Sequence, residues 1–345
     1  MKIYLASYQS IMLNKGGPTY KLLQMQATLN KLGYDVSLYD MWDQNITASQ
    51  DTLFHIFNAS LETYSLAVNL IKAGYKYVVN PIFFSNHRYD VLKLYRFLEK
   101  ILTYPLPRTY SDYELTARIC QMASMVLPNT NAEAQLLIKG LNIDSARVRV
   151  IPNGVEARFA SADADIFFRK FGLQDFILYV GHLGPPRKNG RNIIRALQRL
   201  NHPAVIIADV INNEEGRWCL KAMEESSNIH FLNWMDHDDP LLASAYAACR
   251  IFILPTRYET PGRAALEAAL AGAGIVITPR GGTREYFLDM AEYINPDSVT
   301  SIVGGMENAL LKPRSDALKK HIMANYTWER IAEQTIQLYQ EILKA

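Results

Sequence analysis

Short apolar runs alternate with longer amphipathic runs along the first 155 residues of the chain. The run KIYLAS at residues 2–7 is followed by TYKLLQMQATLNKLG at 19–33, whose apolar residues recur with helical spacing. A second short apolar run, YDVSLYD, completes a strand-helix-strand unit. The same alternation predicts a parallel sheet with helical crossovers through DTLFHIFN, LETYSLAVNLIKAG, KYVVNP, SMVLPNT, NAEAQLLIKGLN and the strand VRVIPNGV at 148–155.

A polar run, EARFASADADIFFRKFG at residues 156–172, interrupts this pattern, and we interpret it as a linker. The 345 residues also exceed what one hydrophobic core usually organises. We therefore expect two doubly wound α/β domains, residues 1–160 and residues 161–327. The alternation restarts after the linker in FILYVGH, NGRNIIRALQRL, AVIIAD, IHFLNW, PLLASAYAAC, RIFILP, RAALEAALAG and IVITP.

The composition is that of an ordinary globular protein. Hydrophobic residues make up 49% of the chain and charged residues 20%, and the formal net charge of +2 gives no general attraction to nucleic acid. Cys120, Cys219 and Cys249 lack the spacing of a disulfide framework or a metal site, so we interpret them as packing residues. The N-terminus does not resemble a signal peptide, and no uncharged run reaches about 18 residues. We expect a cytoplasmic protein that does not span a membrane.

Loops that follow the predicted strands are where we expect ligands to bind. In an open parallel sheet, helix N-termini point their free amides outward at the carboxyl ends of the strands. Two such sheets facing each other would make a cleft. The loops with suitable residues are NKGGP at 14–18, GHLGPPRKNG at 181–190, PTRYETPGR at 255–263 and PRGGTRE at 279–285.

Two carboxylates, Glu259 and Glu267, flank a predicted helix start. The Pro261-Gly262 step cannot lie inside a helix, so the helix should begin near Arg263 and leave Glu259 in the loop. Glu267 should share a helix face with Arg263. Such a loop suits a polyhydroxyl, anionic ligand, although acidic residues are also common at helix starts without any ligand.

The remaining loops supply glycines and cations. Arg187 and Lys188 could meet diphosphate oxygens as a planar fork and a point charge, or could simply form a solvated surface. Gly281 and Gly282 would allow close backbone approach, with Thr283 opening the next helix. Residues 16–17 offer a similar glycine pair in the first domain. Each of these signals is weak alone.

Together the four segments resemble retaining glycosyltransferases of the GT-B fold, in particular glycosyltransferase family 4. VIPNGVEARF is similar to the family's interdomain segment, and YETPGRAALEAALAGAGIVITPRGGTRE is similar to its conserved donor-site pattern with two glutamates. LYVGHLGPPRKNGRNIIRAL and IHFLNWMDHDDPLLASAYAACRIFILPT match two further segments. The resemblance covers residues 145–290 closely and residues 50–125 only in outline.

The resemblance implies transfer of a sugar from a nucleotide-diphosphate donor, a UDP- or GDP-sugar, to a glycan or lipid-linked acceptor with retention. It implies that the C-terminal domain binds the donor, with the base near residues 233–235, and that the N-terminal domain binds the acceptor. No cofactor and no metal are expected. The implied catalytic residues are Glu259, Lys188 and Arg187. The implied donor-binding residues are Gly17, His182, Gly262, Arg263, Glu267, Gly282 and Thr283.

Departures from the family pattern affect the donor site. His182 stands where the family has an arginine, so Arg187 could take over part of the diphosphate contact. Thr260, Pro261 and Arg263 replace the usual residues around Gly262. The N-terminal histidine of many members has no clear counterpart, because Asn80 and Pro81 stand there and His87 is not aligned. We interpret His55 as a satisfied core residue, with a ligand role as the alternative.

Two acidic triplets mimic metal-binding motifs. Asp163–Asp165 lie in the presumed linker, and Asp236–Asp238 precede a predicted helix, where aspartates cap. With no third ligand evident, we do not interpret either as a metal site.

The segment HRYDVLKLYRFLEKILTYPLPR at residues 87–108 mixes basic and apolar residues. It could lie on a membrane surface at the inner face of the membrane, but its acids favour a lid or core helix. The run 328–345 resembles the family's final helix, which packs back on the N-terminal domain.

Two other functions stay open. A non-catalytic carbohydrate-binding protein on the GT-B fold is compatible with His182 and the altered stretch at 260–263. A nicotinamide dehydrogenase or nucleotide-sugar epimerase is less well supported, because no GxGxxG follows the first strand. The most economical interpretation is an enzyme of polysaccharide or glycoconjugate biosynthesis.

Overall fold

The computed structural model describes residues 1–13, 16–46, 49, 51–85, 87–102 and 111–344. The chain forms two compact units, the first made of residues 1–154 with 328–345 and the second of residues 155–327. The structure thus divides the chain after Gly154, earlier than the boundary that we expected after residue 160.

The first unit is a parallel sheet with helices on both faces. Within its described residues, five strands lie in the order β2-β1-β3-β4-β5. They are β1 (Lys2–Ala6), β2 (Asp35–Leu38), β3 (Thr52–Phe57), β4 (Lys76–Asn80) and β5 (Met125–Val126). The helices between the strands are α1 (Gly17–Lys31), α2 (Leu61–Lys72), α3 (Tyr89–Leu102) and α4 (Asp112–Met122), and α5 (Asn131–Gln135) follows β5.

The central strand β3 is buried along its whole length, as a strand covered on both faces must be. Leu53 and Phe57 pack into one core with α1, whereas Phe54 and Ile56 pack into a second core with α2 and α4. The doubly wound prediction is confirmed for this unit. The strand predicted at 148–155 is wrong, because this segment makes only isolated parallel bridges at Val148 and Val155.

The second unit contains the other parallel sheet. Among its residues, six strands lie in the order β11-β10-β9-β6-β7-β8. They are β6 (Ile177–Leu183), β7 (Ala204–Val210), β8 (Ile229–Asn233), β9 (Ile251–Leu254), β10 (Gly274–Ile277) and β11 (Glu292–Tyr293). The helices are α6 (Ala164–Phe171), α7 (Gly190–Leu200), α8 (Glu214–Glu224), α9 (Pro240–Ala248), α10 (Arg263–Leu270), α11 (Thr283–Phe287), α12 (Val299–Leu311) and α13 (Ala317–Asn325).

The interpretation of residues 156–172 as a linker is wrong. Phe159 and Phe167 are fully buried in the core of the second unit, and α6 packs against α9. Of the acidic residues in this run, Asp163 and Asp165 are exposed, whereas Glu156 contacts His237. Asp163 caps α6, although we expected it to lie in a linker. The cap of α9 is Asp239, so the expectation that Asp236–Asp238 supply this cap is wrong by one residue.

The last helix, α14 (Trp328–Lys344), belongs to the first unit. Its buried stripe packs into the core that includes α1, with Tyr339 fully enclosed. The Tyr339 hydroxyl lies 2.5 Å from His55 Nδ1. His55 is therefore a core residue as we expected, but its Nε2 atom has no hydrogen-bond partner among the described residues.

Helix α3 is buried on one side only, so of the two alternatives that we expected, a lid or a core helix, the core helix is wrong. Arg96 and Leu92 are buried, while Leu94, Tyr95 and Phe97 are at least half exposed. Arg96 faces inward because its guanidinium pairs with Glu114 of α4.

Two smaller expectations can be compared directly with the structure. The three cysteines are buried and unpaired, which confirms their interpretation as packing residues. Within the described residues, none of the helices has the length and hydropathy needed to cross a bilayer.

The packing of α14 gives a testable prediction. Tyr339→Ala should destabilise the first unit by about 3–5 kcal/mol, because it empties a fully buried aromatic site and removes the partner of His55. Glu341→Ala, at an exposed position of the same helix, is the matched control. Hydrogen exchange resolved by peptide would report the two units separately. Equal protection in the two variants would contradict the assignment of α14 as a structural element of this unit.

Candidate active site

The sheet of the second unit has its topological switch point between β6 and β9. The chain passes from β6 to β7 and β8 on one side, then returns to β9 and continues to β10 and β11 on the other. Loops that follow β6 and β9 therefore diverge and open a crevice at the carboxyl ends of the two strands. These are the loops that carry Arg187, Lys188 and Glu259.

The two loops are joined through their backbones as well as their side chains. The amide of Arg257 donates to the carbonyl of Arg187 over 2.9 Å. Asn189, in the left-handed region at a φ of 62°, donates from Nδ2 to the carbonyls of Pro255 and Pro296. The turn that carries Arg187 and Lys188 is thus fixed against the loop that carries Glu259.

One carboxylate oxygen of Glu259 accepts from both cations. Arg187 Nη1 lies 3.0 Å and Lys188 Nζ 3.1 Å from Glu259 Oε1. Glu259 is 8% exposed. Burial raises the pKa of Glu259, but the charges of Lys188 and Arg187 outweigh burial and lower that pKa below its usual value. The three groups form a cluster with one excess positive charge at the crevice.

The Gly-Gly pair brings a third loop into this cluster. The amide of Glu259 donates to Arg280 O, and the amide of Gly282 donates to Glu259 O. Gly281 has a φ of +99°, and a Cβ atom there would lie 2.0 Å from the carbonyl oxygen of Glu259. We predicted that these glycines allow another group to approach the backbone closely, and the group that does so here is the backbone of Glu259.

Helix α10 begins at Arg263, as predicted from the Pro-Gly step. Gly262 precedes it with a φ of +87°, and a Cβ atom there would collide with Leu254. Thr283 opens α11, but its side chain is fully buried and its hydroxyl donates to the carbonyl of Thr278 over 2.7 Å. Any contact of Thr283 with a ligand must therefore use its backbone.

The second carboxylate, Glu267, lies inside a buried network. Arg263 Nε is 3.2 Å from Glu267 Oε1, which confirms that these two residues share a helix face. His237 Nδ1 lies 3.6 Å from the same oxygen, and the Tyr246 hydroxyl donates to Oε2 over 2.8 Å. His237 and Tyr246 were missed by sequence reasoning, although the segment NWMDHDDP contains a histidine directly before a predicted helix.

The network continues beyond His237 to Glu156. His237 Nε2 contacts Glu156 Oε2, and Arg158 Nε lies 3.3 Å from Glu156 Oε1. Within the described part of the chain, one group of three potential metal ligands consists of Glu156, His237 and Asp238. Asp238 therefore lies near two further potential ligands, which the sequence did not reveal. Arg158 Nη2 also lies 3.6 Å from Asp238 Oδ1, which places a guanidinium between the two carboxylates.

His182 lies at the end of β6 but turns toward β7 and β8. Its Nδ1 atom is 3.4 Å from Asp209 Oδ2, and its ring stacks on Trp234 with centroids 5.2 Å apart. Trp234 belongs to the segment that the resemblance associates with the nucleotide base. The stacked rings of His182 and Trp234 thus form an aromatic surface on the side of the sheet where β7 and β8 lie.

Most of the expected residues thus meet at one edge of one sheet. Arg187, Lys188 and Glu259 are in direct contact, and residues 262–263, 267 and 282–283 lie on the two adjoining loops and helices. Gly17 belongs to the other unit, as the first residue of α1. Residues 14–15 of the segment NKGGP lie outside the described residues.

Comparison with known proteins identifies glycosyltransferases that are similar to this chain. Residues 174–322 match the family model described as Glycosyl transferases group 1. An uncharacterized glycosyltransferase of Methanocaldococcus jannaschii is 26% identical over 217 residues, which cover 57% of this chain and 55% of that protein. Glycogen synthase of Mycobacterium tuberculosis is 27% identical over 209 residues, covering 56% and 48%. The chain spans about half the length of the curated relatives it matches.

Solved structures resemble the chain over its whole length. Sucrose-phosphate synthase from Thermosynechococcus elongatus has a TM-score of 0.78 at 17% identity and covers 100% of this chain and 99% of its own. The Anabaena protein HepE in complex with UDP and glucose has a TM-score of 0.70 at 15% identity, with 99% of both chains covered. At these identities the likeness shows the fold, which is GT-B.

The contact between Gly281 and Glu259 can be tested with a matched pair of glycines. Gly281→Ala should cost about 1–3 kcal/mol more stability than Gly272→Ala. Both glycines have positive φ, but a Cβ atom at Gly272 would meet no atom within 4 Å. Only the first substitution forces apart the loops around Glu259. Equal melting temperatures of the two variants would show that this backbone contact does not constrain the site.

Proposed function

We propose that this chain, whose residues 174–322 match the model for glycosyl transferases group 1 and whose fold is GT-B, transfers a hexose from a nucleotide-diphosphate donor with retention. The donor is a UDP- or GDP-sugar and the acceptor a glycan or lipid-linked sugar. The observation that carries this proposal is the contact of Arg187 and Lys188 with the buried Glu259 at the switch point.

Arg187 and Lys188 are suited to a diphosphate because they are held in place before it arrives. Their turn is fixed by Asn189 and by the backbone of Arg257, so little reorganisation is needed when charge develops on the leaving group. Lys188 is mostly buried, with 16% of its side chain exposed, which strengthens its interaction with an anion. The excess positive charge of the cluster is thus directed at the phosphate oxygens.

Glu259 contributes a carboxylate that stays ionised. With its pKa held below the usual range, it can accept hydrogen bonds from sugar hydroxyls over the working range of a cytoplasmic enzyme. The amides at the start of α10, next to Gly262, offer further donors to the anionic part of the ligand. Glu259 is therefore assigned to the donor sugar, and Arg187 and Lys188 to the diphosphate.

The proposed transfer needs no protein base. The acceptor oxygen forms its bond to the anomeric carbon on the face from which the phosphate leaves, while the bond from that carbon to the phosphate oxygen breaks. The acceptor proton passes to the departing phosphate, whose developing charge Lys188 and Arg187 stabilise.

The nucleotide base is assigned to the aromatic surface of Trp234 and His182. Trp234 is 44% exposed, so its stack with His182 leaves ring surface for a base. Calorimetric titration with UDP, GDP and ADP tests the site and identifies the base at once. Absence of binding by all three nucleotides would remove the proposed donor site.

A non-catalytic carbohydrate-binding function is favoured by one specific observation. Both oxygens of Glu267, the carboxylate assigned to ribose, already contact Arg263, His237 and Tyr246. With these contacts and an exposed fraction of only 2%, Glu267 must become accessible before a ribose can reach it. Release of nucleotide from a UDP- or GDP-sugar would establish an enzyme, whereas tight sugar binding without turnover would favour the binding protein.

Removal of the Lys188 ammonium should weaken nucleotide diphosphate binding. Lys188→Ala is expected to lose roughly 2–4 kcal/mol of binding free energy, because a mostly buried charge next to phosphate is lost. Lys221→Ala, which removes a lysine that is 78% exposed on α8, is the matched control. Isothermal titration measures both. Wild-type affinity in Lys188→Ala would exclude this lysine from the site.

Divalent cations should not be needed for the reaction. The loops around Glu259 supply cationic side chains and helix amides to the diphosphate, so turnover should persist in EDTA. The measurement is nucleotide release from the preferred sugar donor with and without the chelator. Activity that disappears in EDTA and returns with Mg²⁺ or Mn²⁺ would contradict this expectation and direct attention to Glu156, His237 and Asp238.

A further inference from the structure

The carboxylate of Glu267 is enclosed by three partners that differ in how deeply they are buried. Tyr246 is fully buried and donates from its hydroxyl to Oε2. His237 Nδ1 lies 3.6 Å from Oε1, and 12% of the His237 side chain is exposed. Arg263 Nε lies 3.2 Å from the same oxygen, but 34% of the Arg263 side chain is exposed. Of the three partners, Arg263 is therefore the one that can move aside into solvent.

Tyr246 and His237 rest on a buried support. The fully buried ring of Phe159 packs edge-on against both, with its centroid 5.6 Å from that of His237 and 5.7 Å from that of Tyr246. His237 also contacts Glu156 through Nε2. Burial and the charge of Glu267 both raise the pKa of the Tyr246 hydroxyl, so this hydroxyl keeps the proton that it donates. These two partners can therefore hold the carboxylate in one orientation.

Arg263 occupies a position that its helix does not favour. It is the first residue of α10, where the positive end of the helix dipole disfavours a cation. Its ion pair with Glu267, four residues later on the same face, offsets this cost. An anion bound at the start of α10 would offer Arg263 a second partner, at the place where the helix amides also attract negative charge. The diphosphate of the proposed donor is such an anion.

We propose that Arg263 is a movable cover over Glu267, and that a bound diphosphate draws it away while Tyr246 and His237 keep the carboxylate in position for the ribose. This inference rests on the proposed function, in which Glu267 binds the ribose. The Arg263 guanidinium exchanges a carboxylate for a phosphate, and the ribose hydroxyls replace it as donors to Glu267. Neither charge is left without a partner once the donor is bound, so the exchange avoids the cost of opening a buried ion pair.

Nucleotides that differ in one ribose hydroxyl isolate the contact with Glu267. UDP and 2′-deoxy-UDP, or the corresponding GDP or ADP pair, share the base and the diphosphate, so the ratio of their affinities reports the ribose alone. Arg263→Met should raise this ratio at least about twofold, because the cover is absent. Tyr246→Phe should lower it about fivefold, because the carboxylate loses a hydrogen bond that orients it, and His237→Ala should lower it as well. Isothermal titration measures all of these ratios.

Two matched controls separate these effects from general damage. Arg191→Met removes an arginine of similar exposure from the first turn of α7, where it too is paired with a glutamate. Tyr77→Phe removes a buried hydroxyl that donates to a backbone carbonyl in the first unit. Both controls should keep the wild-type ratio. A merely structural role of Arg263 and Tyr246 would not move the ratio in opposite directions in their two variants.

The outcomes separate this inference from the proposed function. Failure of UDP, GDP and ADP to bind would remove the donor site and the inference with it. Nucleotide binding with a ratio that falls or does not change in Arg263→Met would overturn the inference and leave the diphosphate site in place. An unchanged ratio in Tyr246→Phe would do the same, because the carboxylate would then not depend on that hydroxyl.

Discussion

The buried carboxylate of Glu259 joins three loops at the switch point of the second sheet. Its side chain accepts from Arg187 and Lys188 on the loop after β6, and its backbone bonds to Arg280 and Gly282 on the loop after β10. Because Lys188 and Glu259 are both mostly buried, loss of either charge would leave the other without its partner, which is strongly unfavourable. Glu259 therefore positions Arg187 and Lys188, the cations that face the proposed diphosphate. Residue 281 must be a glycine because a Cβ atom there would collide with the backbone carbonyl of Glu259.

Glu259, which precedes α10, and Glu267, which lies within α10, occupy different environments. Glu259 lies in the loop, where its charge is shared with cations that a ligand can also reach. Glu267 lies one turn inside α10 and contacts Arg263, His237 and Tyr246. His237 extends this network to Glu156, the second residue of the unit along the chain. Glu267 is thus linked through His237 to the first residues of the second unit, whereas Glu259 lies at the crevice between the loops after β6 and β9.

Buried polar contacts also determine how helices of the first unit present their faces. Arg96 of α3 pairs with Glu114, and the Tyr339 hydroxyl meets His55 beneath α14. For α3 the ion pair selects the rotation of the helix, whereas for α14 the buried apolar stripe and the contact of Tyr339 with His55 favour the same rotation. The rotation of α14 therefore buries its apolar stripe, whereas that of α3 leaves Leu94 and Phe97 more than half exposed.

The periodicity of the sequence determined the alternation of strands and helices, both doubly wound sheets and the start of α10 at Arg263, because these depend on local spacing and on the backbone limits of proline and glycine. The sequence also predicted that Arg187, Lys188 and Glu259 lie at the same edge of the sheet, since the loops that carry them follow parallel strands, but it did not predict their direct contact. Periodicity could not show that Phe159 and Phe167 anchor residues 156–172 in the core. Nor could it show that His237 and Tyr246 contact Glu267, or that Leu94 and Phe97 of α3 are exposed. Each of these depends on partners far away in sequence, such as Ser244 for α6 and Glu114 for α3. Only the packed tertiary structure decides which side chains of an amphipathic segment find such partners.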